Sequence, residues 1–188
     1  MNLSELSGTE VFIVIAIAVL AVAGIAFWLL TRKRTARLRT KFGGAEYSRA
    51  VKEGGSQRRA EAMLDKRAER VERLQIRPLA AADRARFTES WSKVQARFVD
   101  GPGGAITDAD KLLGDVMTTR GYPVSDFEQR AADISVDHPL VLENYRLAHE
   151  SALRQTKGQA STEDLRMAMI HYRTLFEELV REPEVVRP

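Results

Sequence analysis

The chain contains no cysteine among its 188 residues. Disulfide bonds, thiolate metal ligands and cysteine nucleophiles are therefore excluded. Because cytosolic and membrane proteins need no disulfides, this absence does not indicate a compartment.

Sequence motifs of common metal and catalytic sites are also absent. The three histidines, His138, His149 and His171, include no pair at the spacing that places two ligands on one helix face, and no H-E-x-x-H segment occurs. A phosphate-binding G-x-x-x-x-G-K-[ST] loop and a G-x-S-x-G nucleophile segment are lacking too. We therefore predict no metal, no cofactor, no small-molecule substrate and no enzymatic activity. The alternative is an enzyme whose site, with His149, His171 and paired carboxylates, assembles only in three dimensions.

Alternation of apolar and polar residues, the pattern of a half-buried strand, is missing over any useful length. Apolar residues instead recur at helical spacing. These stripes are Phe87, Trp91, Val94 and Phe98; Ala105, Ala109, Leu112, Val116 and Met117; Val141, Tyr145, Ala148 and Ala152; and Leu165, Ala168, Met169, Tyr172, Leu175, Phe176 and Leu179. The predicted fold class is all-α, with an N-terminal transmembrane helix, a charged helical stalk and a compact four- to five-helix bundle.

Charge is missing from the segment Val11–Leu30, which is twenty residues long. A helix of that length spans about 30 Å, the thickness of the hydrocarbon core of a bilayer. Phe27 and Trp28 lie near its end, where aromatic rings favour the membrane interface. Residues 1–10 contain no lysine or arginine, whereas a cleaved signal peptide begins with a basic region. We therefore predict an uncleaved transmembrane helix.

Six cations follow this apolar segment within ten residues, and none precedes it: Arg32, Lys33, Arg34, Arg37, Arg39 and Lys41. Lysine and arginine beside a membrane helix stay on the cytoplasmic side. We therefore predict a single-pass protein of the plasma (inner) membrane, with its N-terminus outside and residues 32–188 in the cytoplasm. Because such cations also contact anionic headgroups of the lipid bilayer, an anionic-lipid-binding membrane organiser is an alternative to a purely topological role.

Net charge changes sign along the chain. Residues 32–41 carry +6 and residues 42–99 carry +5, whereas residues 100–188 carry −6. The acidic distal part would repel phosphate groups, so we predict no nucleic-acid partner.

Composition divides the chain into five regions. They are an extracytoplasmic N-terminus (1–10), the transmembrane helix (11–30), a basic juxtamembrane segment with a helical stalk (31–77), a cytoplasmic helical bundle (78–181) and a flexible tail (182–188). The glycine pairs at 43–44 and 54–55 predict breaks in the stalk. A solvated helix is favoured for 57–75, and the alternative is an interaction helix with weak coiled-coil spacing.

Several residues predict helix ends. Ser125 and Glu128 form an S-x-x-E pattern that is typical of a helix start, and Ser161 should cap the last helix. Gly121 is a stop signal.

A polar turn contains Ser135, Asp137 and His138. These residue types could form a Ser/His/Asp site, but they are also the types that cap helices. We favour capping, with Asp137 at the start of the following helix.

Two aromatic residues lie in the loop GYPVSDF, namely Tyr122 and Phe127. If exposed, they are the best candidates for the interface with an unknown protein partner. The alternative is that both pack into the core, as aromatic residues usually do.

Three segments resemble a family of short single-pass membrane proteins from high-GC bacteria, actinobacteria among them. They are RGYPVSDFEQRAADISVDHP at 120–139, VQARFVD at 94–100 and HYRTLFEEL at 171–179. The resemblance covers most of the chain after the apolar segment. It implies a recurring domain and no catalytic residues, because that family has no assigned activity. The favoured function is therefore a protein–protein interaction or scaffolding module at the cytoplasmic face.

Overall fold

The structure is a computed structural model that describes residues 8–181, and the side chains of residues 12–181. This range contains seven α-helices and no β-strand, which confirms the all-α prediction. The helices are α1 (Gly8–Gly54), α2 (Gln57–Glu72), α3 (Ala81–Asp100), α4 (Pro102–Arg120), α5 (Phe127–Asp137), α6 (Leu142–Thr156) and α7 (Thr162–Val180). The predicted tail 182–188 and most of the predicted N-terminal segment 1–10 lie outside the described residues.

Helix α1 contains the apolar segment. Its large apolar side chains from Phe12 to Leu30 are all exposed. Within the described residues, α1 is the one helix that is long and apolar enough to cross a membrane.

A sharp turn interrupts α1 at Gly43, where φ is 72° and ψ is 161°. This is backbone that glycine adopts far more readily than other residues. Thr35 and Tyr47 lie on opposite sides of the turn and donate hydrogen bonds to the same Glu61 oxygen, at 2.6 Å and 2.9 Å. A straight helix would hold two residues at this spacing about 18 Å apart, so the chain doubles back after Gly43.

Residues 31–72 form a compact juxtamembrane unit, made of the two halves of α1 after the apolar segment and of α2. Its core consists of Leu38, Phe42, Tyr47, Ala50, Ala60, Leu64, Ala68 and Val71, together with Val136 of α5. The structure thus differs from the solvated helix favoured for 57–75. The reason is that the small apolar residues of α2 recur on one face, which packs against Leu38 and Phe42.

Helices α3 to α7 form the distal bundle around a second core. Helix α7 packs against α3, α4 and α6, and α4 also packs against α3 and α6. The predicted stripes of α4 and α7 are buried throughout, while Phe87 and Trp91 anchor α3. The Trp91 ring stacks on Phe176 with a centroid distance of 4.7 Å.

Two of the predicted helix ends are confirmed. Ser161 caps α7 in a reciprocal capping box with Asp164, and Gly121 ends α4 with φ 102°. The predicted cap at Ser125 is wrong, since Asp126 is the N-cap of α5 and accepts a hydrogen bond from the Gln129 backbone N–H at 2.8 Å. Asp137 does not cap α6 either, because α5 extends to Asp137.

Candidate functional site

The six cations that follow the apolar segment have different surroundings. Arg34 pairs with Asp65 at 2.5 Å, and Lys41 lies 3.6 Å from Glu72. Arg37 is exposed. The remaining three, Arg32, Lys33 and Arg39, line one groove.

We call this groove, which lies directly after the apolar segment of α1, the interfacial groove. Its volume is about 610 Å³. Its lining side chains include Trp28, Arg32, Lys33, Thr35, Arg39 and Gln57. Most of them recur at a spacing of three or four residues on one face of α1, and Gln57 comes from the first turn of α2. Gln57 thus borders a groove that is otherwise formed by α1, because the juxtamembrane unit folds α2 back beside α1.

Glu61 links the segments next to the interfacial groove through hydrogen bonds. Its Oε1 atom accepts hydrogen bonds from the Thr35 hydroxyl, the Tyr47 hydroxyl and the Gln57 amide. Burial acts to raise the pKa of Glu61, but these hydrogen bonds outweigh burial and lower it. One ionised carboxylate thus ties both halves of α1 to α2.

Glu46 connects the juxtamembrane unit to the distal bundle. Its buried carboxylate accepts hydrogen bonds from Arg67 of α2 at 2.7 Å and from Arg146 of α6 at 3.2 Å. A second link is the ion pair between Arg70 of α2 and Asp133 of α5 at 3.0 Å, in which Asp133 is buried. These pairs, with α5 packed on α1 and α2, fix the bundle relative to the helix that leaves the apolar segment.

The predicted interface aromatics are not freely exposed. Tyr122 is 2% exposed and donates a hydrogen bond from its hydroxyl to Asp137 at 2.9 Å. Burial and the neighbouring Asp137 carboxylate raise the pKa of Tyr122. Phe127 is half-buried and stacks on His149 with a centroid distance of 3.6 Å. Core packing, the alternative considered for both residues, is what the structure shows for Tyr122.

The three histidines lie in separate surroundings. His138 Nδ1 is 3.0 Å from Glu178, and His171 Nδ1 is 2.9 Å from Asn144. Among residues 8–181, no group of three or more histidine and acidic side chains could hold a metal ion.

The predicted polar turn does not form a catalytic arrangement. The Ser135 hydroxyl donates to the Ala132 carbonyl at 2.6 Å, and Asp137 accepts from Tyr122. His138 instead faces Glu178. Ser135 thus bonds within its own helix, while Asp137 and His138 contact Tyr122 and Glu178 from other parts of the chain.

An apolar patch on α6 and α7 was not predicted from the sequence. The α6–α7 patch consists of Leu147, Met167 and Ile170, each about two-fifths exposed. The antiparallel register set by the Asn144–His171 and Arg154–Asp164 contacts places Leu147 level with Ile170. All three residues lie outside the core stripes predicted for α6 and α7, and that position off the stripe is the signal in the sequence that could have indicated their exposure.

Acidic residues flank this patch. Glu143 and Glu150 lie one turn before and after Leu147 on α6, and both are exposed. Neither forms an ion pair within the described part of the chain, so the rim of the patch is negative on α6. On α7 the Arg166 guanidinium, which pairs with Glu163, lies 3.5 Å from the Met167 sulfur.

Comparison with protein-family models, with curated proteins and with solved structures finds no match to this chain. The resemblance to single-pass membrane proteins of high-GC bacteria therefore stays an expectation.

Proposed function

We propose that this protein is a non-enzymatic, membrane-anchored interaction module that presents its helical bundle to a protein partner at the cytoplasmic face of the plasma membrane. The exposed apolar side chains of α1 support the anchor, because the helical segment that carries them is as long as the hydrocarbon core of a bilayer is thick. The six cations after this segment support an orientation with the N-terminus outside.

The observation that carries the proposal is the buried Glu46 carboxylate, which pairs with both Arg67 of α2 and Arg146 of α6. A flexible tether would leave the bundle free to rotate relative to the membrane. Here α1 continues from the apolar segment into a packed unit that is joined to the bundle by buried ion pairs. Such a connection sets the height and the direction of the bundle, which is what a scaffold at a membrane requires.

The α6–α7 patch is the surface that we assign to the partner. Apolar centres with polar rims are typical of protein interfaces. The rim residues Glu143 and Glu150 are negative, in a region of the chain that carries −6 overall. Charge complementarity therefore points to an amphipathic segment of the partner that bears lysine or arginine beside its apolar residues.

In-cell photo-crosslinking tests this assignment. A photoreactive residue at Leu147 or Ile170 should give one discrete adduct, and one at the exposed Val99 of α3 should not. Charge reversal at the rim, in the double variant Glu143→Lys/Glu150→Lys, should remove the Leu147 adduct while the protein stays folded and in the membrane. An adduct of equal yield from Val99, or one insensitive to the rim charges, contradicts the assignment.

A further inference from the structure

The cations in the interfacial groove lack acidic partners. Arg34 and Lys41 are paired with Asp65 and Glu72. In contrast, no carboxylate within the described range forms an ion pair with any of the three groove cations, Arg32, Lys33 and Arg39. The groove therefore concentrates positive charge, which the protein offsets only in part through the Glu61 carboxylate that accepts from Thr35 and Gln57.

Two of these cations are held in place by aromatic rings. The Arg32 guanidinium lies 4.2 Å from the centroid of the Trp28 ring, and that of Arg39 lies 5.0 Å from the Tyr47 ring. Cation–π contacts of this kind restrict the side chain and leave most of the five guanidinium N–H donors free, although Arg39 also interacts with the Tyr47 hydroxyl. A guanidinium group that is held in place binds an anion at a lower entropic cost than a free one.

The groove also lies at a defined depth. Arg32 follows the last apolar residue, Leu30, by two positions, which corresponds to about 3 Å along the helix axis. The headgroup layer on each side of a bilayer is about 5–7 Å thick. The membrane-proximal end of the groove is therefore level with lipid phosphates, and Arg39 extends it away from the bilayer.

We propose that the interfacial groove binds the phosphate of an anionic phospholipid headgroup, with Arg32 as the principal ligand, Lys33 beside it and Arg39 adding positive charge farther from the bilayer. The ligand chemistry, a phosphate oxyanion, is shared with soluble phosphates. The depth of the groove and the Trp28 ring at its edge favour the lipid. This inference rests on the membrane anchor of the proposed function.

Quenching of Trp28 by brominated lipid tests the site. Trp91→Phe leaves Trp28 as the single tryptophan. The full chain in phosphatidylcholine nanodiscs is given increasing fractions of brominated phosphatidylglycerol, and the fraction that gives half-maximal quenching is compared with that for brominated phosphatidylcholine. We expect selectivity for the anionic lipid, which falls about fivefold in Arg32→Gln and by a smaller factor in Arg39→Gln.

Arg37→Gln is the matched control, because it removes one charge from the same segment outside the groove. It should leave the selectivity nearly unchanged, and Arg32→Lys should keep more of it than Arg32→Gln. Helical circular dichroism checks that every variant is folded. An equal loss of selectivity in Arg37→Gln would show that diffuse positive charge, and not the groove, attracts the lipid. No loss of selectivity in Arg32→Gln and Arg39→Gln would show that the groove binds no lipid. Either result overturns the proposal.

Two further outcomes are distinguishable. If inorganic phosphate at a concentration no higher than that of the anionic lipid removes the selectivity at constant ionic strength, the groove prefers soluble anions and the lipid assignment is wrong. If no brominated lipid quenches Trp28, including phosphatidylcholine, the membrane anchor itself is wrong and the groove proposal fails with it. Quenching that is strong but equal for both lipids contradicts the groove proposal alone.

Discussion

Glu46 and Arg146 are 100 residues apart in the chain, yet their side chains form a buried ion pair with N–O distances of 3.2 Å. Arg67 completes the cluster at 2.7 Å. Loss of the Glu46 charge leaves two mostly buried guanidinium groups, of which Arg146 keeps only the exposed Glu128 carboxylate at 3.7 Å, and this is far more costly than the loss of a surface pair. We expect Glu46→Gln to lower the free energy of unfolding by about 3 kcal/mol. Chemical denaturation of the full chain in detergent micelles, followed by circular dichroism, measures this.

Glu53→Gln is the control for this experiment. Glu53 pairs with Arg49 at 2.8 Å on an exposed helix face. Exposed pairs of this kind contribute about 0.5 kcal/mol or less. Similar losses in the two variants would show that the Glu46 cluster does not hold the juxtamembrane unit to the bundle.

Gly121 allows the 74–80 segment to pass close to the end of α4. Its φ is 102°, and an added Cβ would lie 2.5 Å from the Gln75 carbonyl oxygen. We expect Gly121→Ala to destabilise the protein by at least about 2 kcal/mol, since both the backbone and the contact oppose it. Gly44→Ala is the matched change, because nothing lies within 4 Å of its Cβ position. It should be neutral or stabilising by up to about 1 kcal/mol, and thermal melts that shift equally for both would contradict the role of Gly121.

The helical stripes show which parts of the fold a sequence can predict. On α4 and α7, large apolar residues recur at helical spacing, and every one that was predicted is buried. Packing of the 57–75 helix against another helix was only the alternative prediction, because its apolar positions include alanines such as Ala60 and Ala68, which carry little hydrophobic signal. Its packing also depends on the turn at Gly43, whose direction a glycine pair does not specify.

The candidate sites were predicted less well because they depend on contacts between segments that are far apart in the sequence. The role of Tyr122 depends on a loop that tertiary contacts place over the core, and local sequence cannot distinguish such a loop from an exposed one. The division of the six cations into paired and groove-lining residues depends on where α2 packs. Both properties emerge from contacts between distant segments.

Tyr122 provides a direct test of core packing against partner binding. Tyr122→Phe removes the hydrogen bond to Asp137, which is exposed and can bind water instead, so we expect a loss of only about 0.5–1.5 kcal/mol. Tyr122→Ala should cost about 3–5 kcal/mol, because it leaves a cavity in the bundle. Denaturation curves give both values. An alanine variant of undiminished stability that loses its crosslinked partner would instead restore the interface interpretation.

The partly buried ring of His149 should make the stability of the protein depend on pH. Burial lowers the pKa of its ring and outweighs the nearby Asp110 carboxylate, which acts in the opposite direction. The unfolded chain then takes up a proton near pH 6.5, before the folded protein does. The free energy of unfolding should therefore fall as pH decreases below about 6.5, and this component should be absent in His149→Gln. Phe127→Leu opens the ring stack and should move the NMR titration of His149 toward the ordinary pKa. An unchanged titration would assign the shift to other neighbours.

The orientation of the protein can be measured because the chain has no cysteine of its own. Val99→Cys places a single thiol on an exposed site of the distal bundle, and Ser4→Cys places one before the apolar segment. A membrane-impermeant maleimide should label Ser4→Cys in intact cells and Val99→Cys only after permeabilisation. Labelling of Val99→Cys in intact cells would reverse the topology and remove the proposed cytoplasmic partner.

The positive-inside rule counts charges, so the double variants Arg32→Gln/Arg39→Gln and Arg34→Gln/Arg37→Gln should weaken the orientation equally. Only the first double variant should strongly affect lipid selectivity.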